Sequence, residues 1–114
     1  MIDWSQIKQV EEDVGAEDLA EVVEIFIEEV EEAVDALRGM SEMADAQMAP
    51  AMHFLKGSAY NLGFKGFGDY CAEGEKRATA GEGAGFDLQK VVALYEQSKA
   101  EFVSDAHKNS SLKF

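Results

Sequence analysis

The sequence of 114 residues has few cysteines, prolines and basic residues, and it has no long apolar run. Its single cysteine, Cys71, excludes an internal disulfide, so packing must stabilise the fold, with Cys71 as a small core hydrophobe. No apolar stretch approaches the ~20 residues that span a bilayer, and the N-terminus lacks the basic start and apolar centre of a signal peptide. The sequence therefore predicts a single cytoplasmic domain that does not enter a membrane.

Basic residues are outnumbered by acidic ones, 10 against 23, which gives a net charge of −13. This balance argues against nucleic acid as a partner, because phosphate binding requires a face rich in lysine and arginine. The charge is also unevenly distributed. Residues 11–35 include twelve acids and no base, whereas residues 53–77 are locally +1. The second segment is where an acidic partner surface is expected to dock.

Apolar residues recur with the 3.6-residue period of amphipathic helices, and no strand pattern is present. Four such stripes occupy residues 19–37, 44–62, 67–78 and 88–102. Gly39 and Gly63 act as stop signals, and Asp87 is placed to cap the fourth helix. Pro50 predicts either a late start or a bend of the second helix. Four amphipathic helices with short connections predict an all-α fold, an antiparallel up-down four-helix bundle.

The two ends of the chain are predicted to differ from the bundle helices. A short extra N-terminal helix begins after Asp3, which is placed to cap it. Its apolar residues, which would cover one end of the core, are Trp4, Ile7 and Val10. The helical pattern fades near the C-terminus, so one domain is expected over residues 1–108 and a flexible tail over residues 109–114.

A helical wheel of residues 44–62 places His53 opposite the apolar stripe. With Leu55 at zero, His53 falls at about 160° and Gly57 at about 200°. Lys56 lies at about 100°, on the flank. A glycine exposed in a helix costs about 1 kcal/mol relative to alanine, but it leaves room for another protein beside the imidazole. The alternative for a single exposed histidine is a solvated surface residue.

The chemistry available to His53 is nucleophilic, because the free nitrogen of a neutral imidazole attacks electrophiles. Lys56, one helical turn later, can offset the charge of a phosphoryl group on that nitrogen. Ser58 lies at about 300°, turned toward the core edge, so this helix holds no hydrolytic triad. The other histidine, His107, is near the C-terminal end, and no metal site is predicted.

The residues around His53 resemble a known signature. The stretch HFLKGSAYNLG, residues 53–63, is similar to the H-x-L-K-G-S-[AS]-x-x-L-G motif of histidine-containing phosphotransfer (HPt) domains. The segment GAEDLAEVVEIF, residues 15–26, resembles the opening of the family's first long helix. The family's spacing in its third long helix is matched by Phe67, Cys71 and Glu75. Since the matches run in order over nearly the whole chain, the sequence is identified as a member of this family.

The resemblance implies a phosphocarrier without autokinase activity rather than an enzyme. In the family, the histidine that corresponds to His53 accepts a phosphoryl group from the aspartate of one receiver domain and passes it to another. Lys56 would assist the phosphoryl charge, and Gly57 would give the receiver clearance. The receivers supply Mg²⁺, so the chain needs no cofactor of its own. The expected partners are response-regulator receivers and a hybrid sensor histidine kinase, and the chain is expected to be a monomer.

Further site residues follow from the same resemblance. In chemotaxis kinases, a glutamate at the spacing of Glu75 bonds the second imidazole nitrogen and fixes the tautomer; a plain surface charge is the alternative. Gly74 departs from the leucine common before that glutamate, which predicts thinner packing there. The docking candidates around the histidine are Phe54, Tyr60, Phe64 and Lys65. The aromatic residues among them could instead be partly buried.

Two other functions remain open. One is the phosphotransfer module of a chemotaxis-type system, phosphorylated by a separate catalytic domain that uses ATP. The other is a helical adaptor that binds receivers or kinases without being phosphorylated. The presence of both His53 and Lys56 argues against the adaptor, which would need neither residue.

Overall fold

The computed structural model describes residues 2–113, and most of this part of the chain is helical. The helices are α1 Trp4–Val14, α2 Ala16–Leu37, α3 Asp45–Asn61, α4 Lys65–Thr79 and α5 Leu88–Asn109. The four long helices pack in chain order, α2 on α3, α3 on α4 and α4 on α5, and α5 also packs on α2. The predicted all-α bundle with a short extra N-terminal helix is thereby confirmed.

The core is built mainly from the predicted apolar stripes, although Ala44 at the start of the second stripe is exposed. Aromatic rings from α4, α5 and the turn before α4 fill its centre: the Phe67 and Tyr95 centroids lie 5.7 Å apart, and those of Phe64 and Phe102 lie 5.5 Å apart. Cys71 is fully buried among these side chains. Burial raises the pKa of its thiol to about 12, so the cysteine is a core hydrophobe, as predicted.

The N-terminal helix α1 covers one end of the bundle, as predicted. The Asp3 carboxylate accepts a hydrogen bond from the Ser5 N–H at 3.1 Å, which caps the helix. Trp4 stacks on Phe102 with ring centroids 5.3 Å apart, and Ile7 is fully buried. These contacts attach α1 to the core.

The C-terminal segment continues the last helix and adds one side chain to the core. Helix α5 continues to Asn109, and Leu112 beyond it is only 2% exposed. The Ser110 hydroxyl donates to the Ala106 carbonyl at 2.7 Å, which turns the chain back toward the core. The flexible tail over residues 109–114 stays a prediction, and in the structure one apolar side chain of this segment, Leu112, occupies a buried position.

Helix α3, which bears the histidine of interest, begins early and contains the proline. It starts at Asp45, so the predicted late start is wrong and Pro50 lies inside the helix. Since proline has no N–H, the Ala46 carbonyl lacks its usual helical donor. Another contact stabilises the start of α3, because the Asp45 carboxylate accepts a hydrogen bond from the Gly83 N–H at 3.0 Å. His53 thus lies on a helix anchored to the loop between α4 and α5.

Candidate functional site

His53 lies on the face of α3 that points away from the core, as the helical wheel predicts. Its side chain is 69% exposed, whereas Met52 and Leu55 on the opposite face are buried. Gly57, one turn later, is equally open, because a Cβ built on it would meet nothing within 4 Å. The imidazole therefore stands on an accessible surface with free space beside it.

Glu75 of α4 reaches the imidazole across the helix pair. Its Oε2 lies 2.7 Å from Nδ1 of His53, and its side chain is 23% exposed. An ionised carboxylate only accepts hydrogen bonds, so this contact places a proton on Nδ1. The lone pair of the neutral ring is then on Nε2, the nitrogen left free. The alternative of an isolated surface charge at Glu75 is excluded by this contact.

Lys56 completes the cluster by binding the same carboxylate. Its Nζ lies 2.5 Å from Oε1 of Glu75, so one carboxylate joins a lysine and a histidine. The hydrogen bond from Lys56, and then that from His53, hold the pKa of Glu75 below its ordinary value. Glu75 consequently stays ionised and remains an acceptor for the imidazole N–H.

Gly74 allows the close packing that brings Glu75 to the histidine. A Cβ on Gly74 would lie 2.6 Å from Cζ of Phe86 and 3.0 Å from Cγ of Met52. The Phe86 ring is held in place by stacking on Tyr70, with centroids 4.7 Å apart. The prediction of thin packing at Gly74 is therefore wrong, because a phenyl ring from the loop before α5 fills the space that the glycine leaves.

A second polar cluster lies further along the same face. The Tyr60 hydroxyl donates to Oδ1 of Asp69 at 2.7 Å, and Lys65 Nζ lies 3.0 Å from Oδ2 of Asp69. The bond to Asp69 raises the pKa of Tyr60 to about 12. The ring lies on Gly68, where a Cβ would approach it to 2.6 Å. Neither Asp69 nor Gly68 is among the site residues predicted from the sequence, although the i,i+4 spacing of Lys65 and Asp69 indicates an ion pair.

Comparison with known families gives one match. A family model described as Hpt domain matches residues 21–101, which is most of the chain and includes the whole of α3 and α4. This chain belongs to the Hpt domain family. No curated protein and no solved structure gives a significant match. The family assignment agrees with the resemblance found in the signature around His53.

Membership of the Hpt family establishes the general role. Hpt domains act in phosphotransfer within two-component systems, as phosphocarriers that interact with receiver domains and histidine kinases. In the described part of the chain, no helix is both long and apolar enough to cross a membrane. The same residues include no group of three or more His, Cys, Asp or Glu side chains arranged to hold a metal ion.

The structure corrects one docking candidate of this Hpt domain. Phe64 is fully buried and lies against Tyr95 and Phe102, so it is not part of the surface and its predicted docking role is wrong. The reason is the turn at Gly63, whose φ of +73° directs the next side chain inward. Phe54 and Tyr60 are exposed as the docking prediction requires.

The basic residues predicted to give this part of the Hpt domain its positive charge differ in their contacts. Lys56 is paired with Glu75, and Lys65 with Asp69. Arg77 donates to backbone carbonyls of the loop before α5, its Nε lying 3.2 Å from the Glu82 carbonyl oxygen. Because the local charge of +1 already counts Asp69 and Glu75, these pairs do not change it, and docking of an acidic partner surface on this segment stays a prediction.

We expect Gly74→Ala to slow phosphotransfer by about tenfold, through displacement of Glu75. The new methyl group would collide with Phe86, and overpacking of this kind costs about 1–3 kcal/mol. Single-turnover transfer rates measure the effect, and the ¹⁵N shift of His53 Nδ1 reports its bond to Glu75.

A second substitution separates this steric account from general damage. Phe86→Leu shortens the ring that meets the new methyl, so the double variant should transfer faster than Gly74→Ala alone. Wild-type transfer in Gly74→Ala, or no recovery in the double variant, would show that this contact does not position Glu75.

Proposed function

We propose that this Hpt domain carries a phosphoryl group on His53 between the aspartates of two receiver domains in a multistep phosphorelay. The observation that supports the proposal most directly is the His53–Glu75 contact of 2.7 Å. It holds the proton on Nδ1 and leaves the Nε2 lone pair on an open surface, where a second protein can reach it.

The proposed transfer is a displacement at phosphorus. Nε2 of His53 attacks the phosphorus of the receiver's aspartyl phosphate, and an N–P bond forms. The P–O bond to the aspartate breaks, and its electron pair leaves with the carboxylate. The proton stays on Nδ1, so the ring becomes cationic and is stabilised by the Glu75 carboxylate. Return of the phosphoryl group to a second receiver follows the same steps in reverse.

The chain's own groups orient the nucleophile, and the receiver supplies the rest. Lys56 lowers the pKa of Glu75, which favours its ionised form, and offsets charge near the phosphorylated ring. Mg²⁺ would come with the receiver domain, which coordinates it beside the reacting aspartate. The Hpt domain on this proposal has no autokinase activity.

The proposal includes a monomeric Hpt domain in the cytoplasm, where its receivers and a hybrid sensor histidine kinase would meet it. Exposed large apolar side chains among the described residues are spread over several elements rather than gathered in one patch, which favours a monomer. They are Ile25, Met40, Phe54, Tyr60 and Val103.

Gly57→Ala is expected to separate stability from function. Helix α3 should gain about 0.5–1 kcal/mol, because alanine is the better helix former and the new methyl meets no atom within 4 Å. Transfer should nevertheless slow, since the methyl occupies the space beside the imidazole that the receiver needs. Thermal denaturation and transfer kinetics on the same sample test both halves. A more stable variant with unchanged transfer would contradict the clearance role.

The second candidate is a phosphotransfer module that a separate ATP-using catalytic domain phosphorylates, as in chemotaxis systems. The contact between Glu75 and His53 supports this second candidate as well, because a glutamate at this spacing binds the imidazole in chemotaxis-type modules. Incubating the chain with phosphorylated receivers, and separately with ATP and kinase catalytic domains, distinguishes the two. Labelling from receivers alone supports the phosphorelay, and labelling only from a catalytic domain with ATP supports the chemotaxis-type function.

A further inference from the structure

A groove runs beside His53 on the flank away from Lys56. This α2–α3 groove is lined by Glu29, Glu32, Ala33, Ala36 and Phe54. Phe54 follows His53 directly and is therefore rotated from it by about 100° around the helix, whereas Lys56 lies about 60° away in the opposite sense. The imidazole thus stands between the Glu75–Lys56 cluster and this groove.

The groove has an apolar floor that is open to contact. The Phe54 side chain is 42% exposed, although phenyl rings are usually buried, and the methyl groups of Ala33 and Ala36 lie beside it. An exposed ring next to small side chains forms a shallow depression that fits one apolar side chain of a partner. Aromatic residues of this kind are typical anchors at the centre of protein interfaces.

The rim of the groove carries uncompensated negative charge. Glu29 and Glu32 are exposed, and neither has an ion pair or hydrogen bond within the described residues. On the other flank, Lys56 and Lys65 are each paired with a carboxylate. The groove side of His53 therefore presents unpaired charge, and its sign is negative.

We propose that the α2–α3 groove docks the receiver domain and selects one whose surface presents an apolar side chain flanked by lysine or arginine. This inference rests on the proposed phosphotransfer function and names the chemistry of its partner. Rim charges of opposite sign speed up association and reject partners with acidic docking surfaces, while the apolar contact slows dissociation.

The test uses the full chain and the receiver that exchanges phosphoryl groups with it fastest. Glu29→Lys/Glu32→Lys reverses the rim, and Phe54→Ala removes the anchor. Glu21→Lys/Glu24→Lys is the matched control. It makes the same charge change at the same spacing on the same helix, but about 12 Å closer to the N-terminus of α2. Three quantities are measured: the Kd for the unphosphorylated receiver, kcat/KM for transfer, and labelling of His53 by phosphoramidate, a small phosphoryl donor.

We expect the rim variant to bind the receiver about tenfold more weakly than the control, at physiological salt. The difference should shrink at about 1 M salt, where the Debye length is about 3 Å. Phe54→Ala should weaken binding about tenfold at either salt concentration. Phosphoramidate labelling should be unchanged in all three variants, since a small donor does not need the groove.

Reversing the charge of the receiver's basic residues provides a second check, because it should restore binding to the rim variant. The inference is overturned if the rim variant binds like the control, or if the variants alter self-association of the chain instead. The proposed phosphotransfer function alone would be refuted if receiver binding depends on the groove but His53 is labelled neither by the receiver nor by phosphoramidate.

Discussion

Replacing His53 with alanine is expected to abolish acceptance of a phosphoryl group from phosphorylated receivers while leaving the helical content unchanged. The loss should be complete, because in the proposed mechanism Nε2 of this side chain forms the new bond to phosphorus. The fold is spared because the side chain is 69% exposed and contributes nothing to the core. Exposed substitutions of this kind change the free energy of unfolding by about 0.5 kcal/mol or less. Radiolabel transfer and far-ultraviolet circular dichroism measure the two effects.

The chain provides a matched control in its other histidine. His107 is exposed near the end of α5, on a different helix from the site, so His107→Ala should transfer at the wild-type rate. Persistent transfer in His53→Ala would contradict the assignment of the phosphorylated residue. Receiver binding without any labelling of the wild-type chain would instead indicate the adaptor function.

Replacing Glu75 with glutamine is expected to slow transfer by about 10- to 100-fold, by analogy with carboxylates that orient metal-binding histidines. Glutamine keeps the shape of the Glu75 side chain. It loses the negative charge that pairs with Lys56 and stabilises the cationic imidazole ring. Its amide can also donate to Nδ1, which would favour the tautomer with the proton on the attacking Nε2. Single-turnover kinetics measure the rate, and imidazole ¹⁵N shifts report the tautomer.

Neighbouring variants show whether the effect belongs to this contact. Glu73 is exposed on the same helix, so Glu73→Gln makes the same chemical change away from the imidazole and should have little effect. Lys56→Ala should slow transfer less than Glu75→Gln, because the carboxylate that binds the imidazole remains. Equal rates in Glu73→Gln and Glu75→Gln would rule out the orienting role.

Features set by local chemistry could be predicted from the sequence. The apolar stripes follow from helical periodicity, and the caps Asp3 and Asp87 follow from side chains that accept backbone N–H bonds. The exposure of His53 and the open space at Gly57 follow from the same rotation of about 100° per residue. The family signature then associated this exposed pair with phosphotransfer.

Features set by contacts between distant residues could not be predicted. Nothing near Gly74 in the sequence shows that Phe86 fills the adjacent space, because that ring folds back onto α4 from the loop between α4 and α5. The burial of Phe64 depends on a turn whose direction only packing decides. The net charge of a segment likewise conceals pairs such as Lys65 with Asp69, which determine how much charge a partner meets.

The atom that carries the phosphoryl group tests the central claim most directly. The chain is labelled by its phosphorylated receiver and examined by ³¹P and ¹⁵N NMR in neutral or alkaline solution. The His53–Glu75 contact predicts a phosphohistidine at His53 with phosphorus on Nε2 and the proton retained on Nδ1. Phosphorus on Nδ1, or on a residue other than His53, would contradict it.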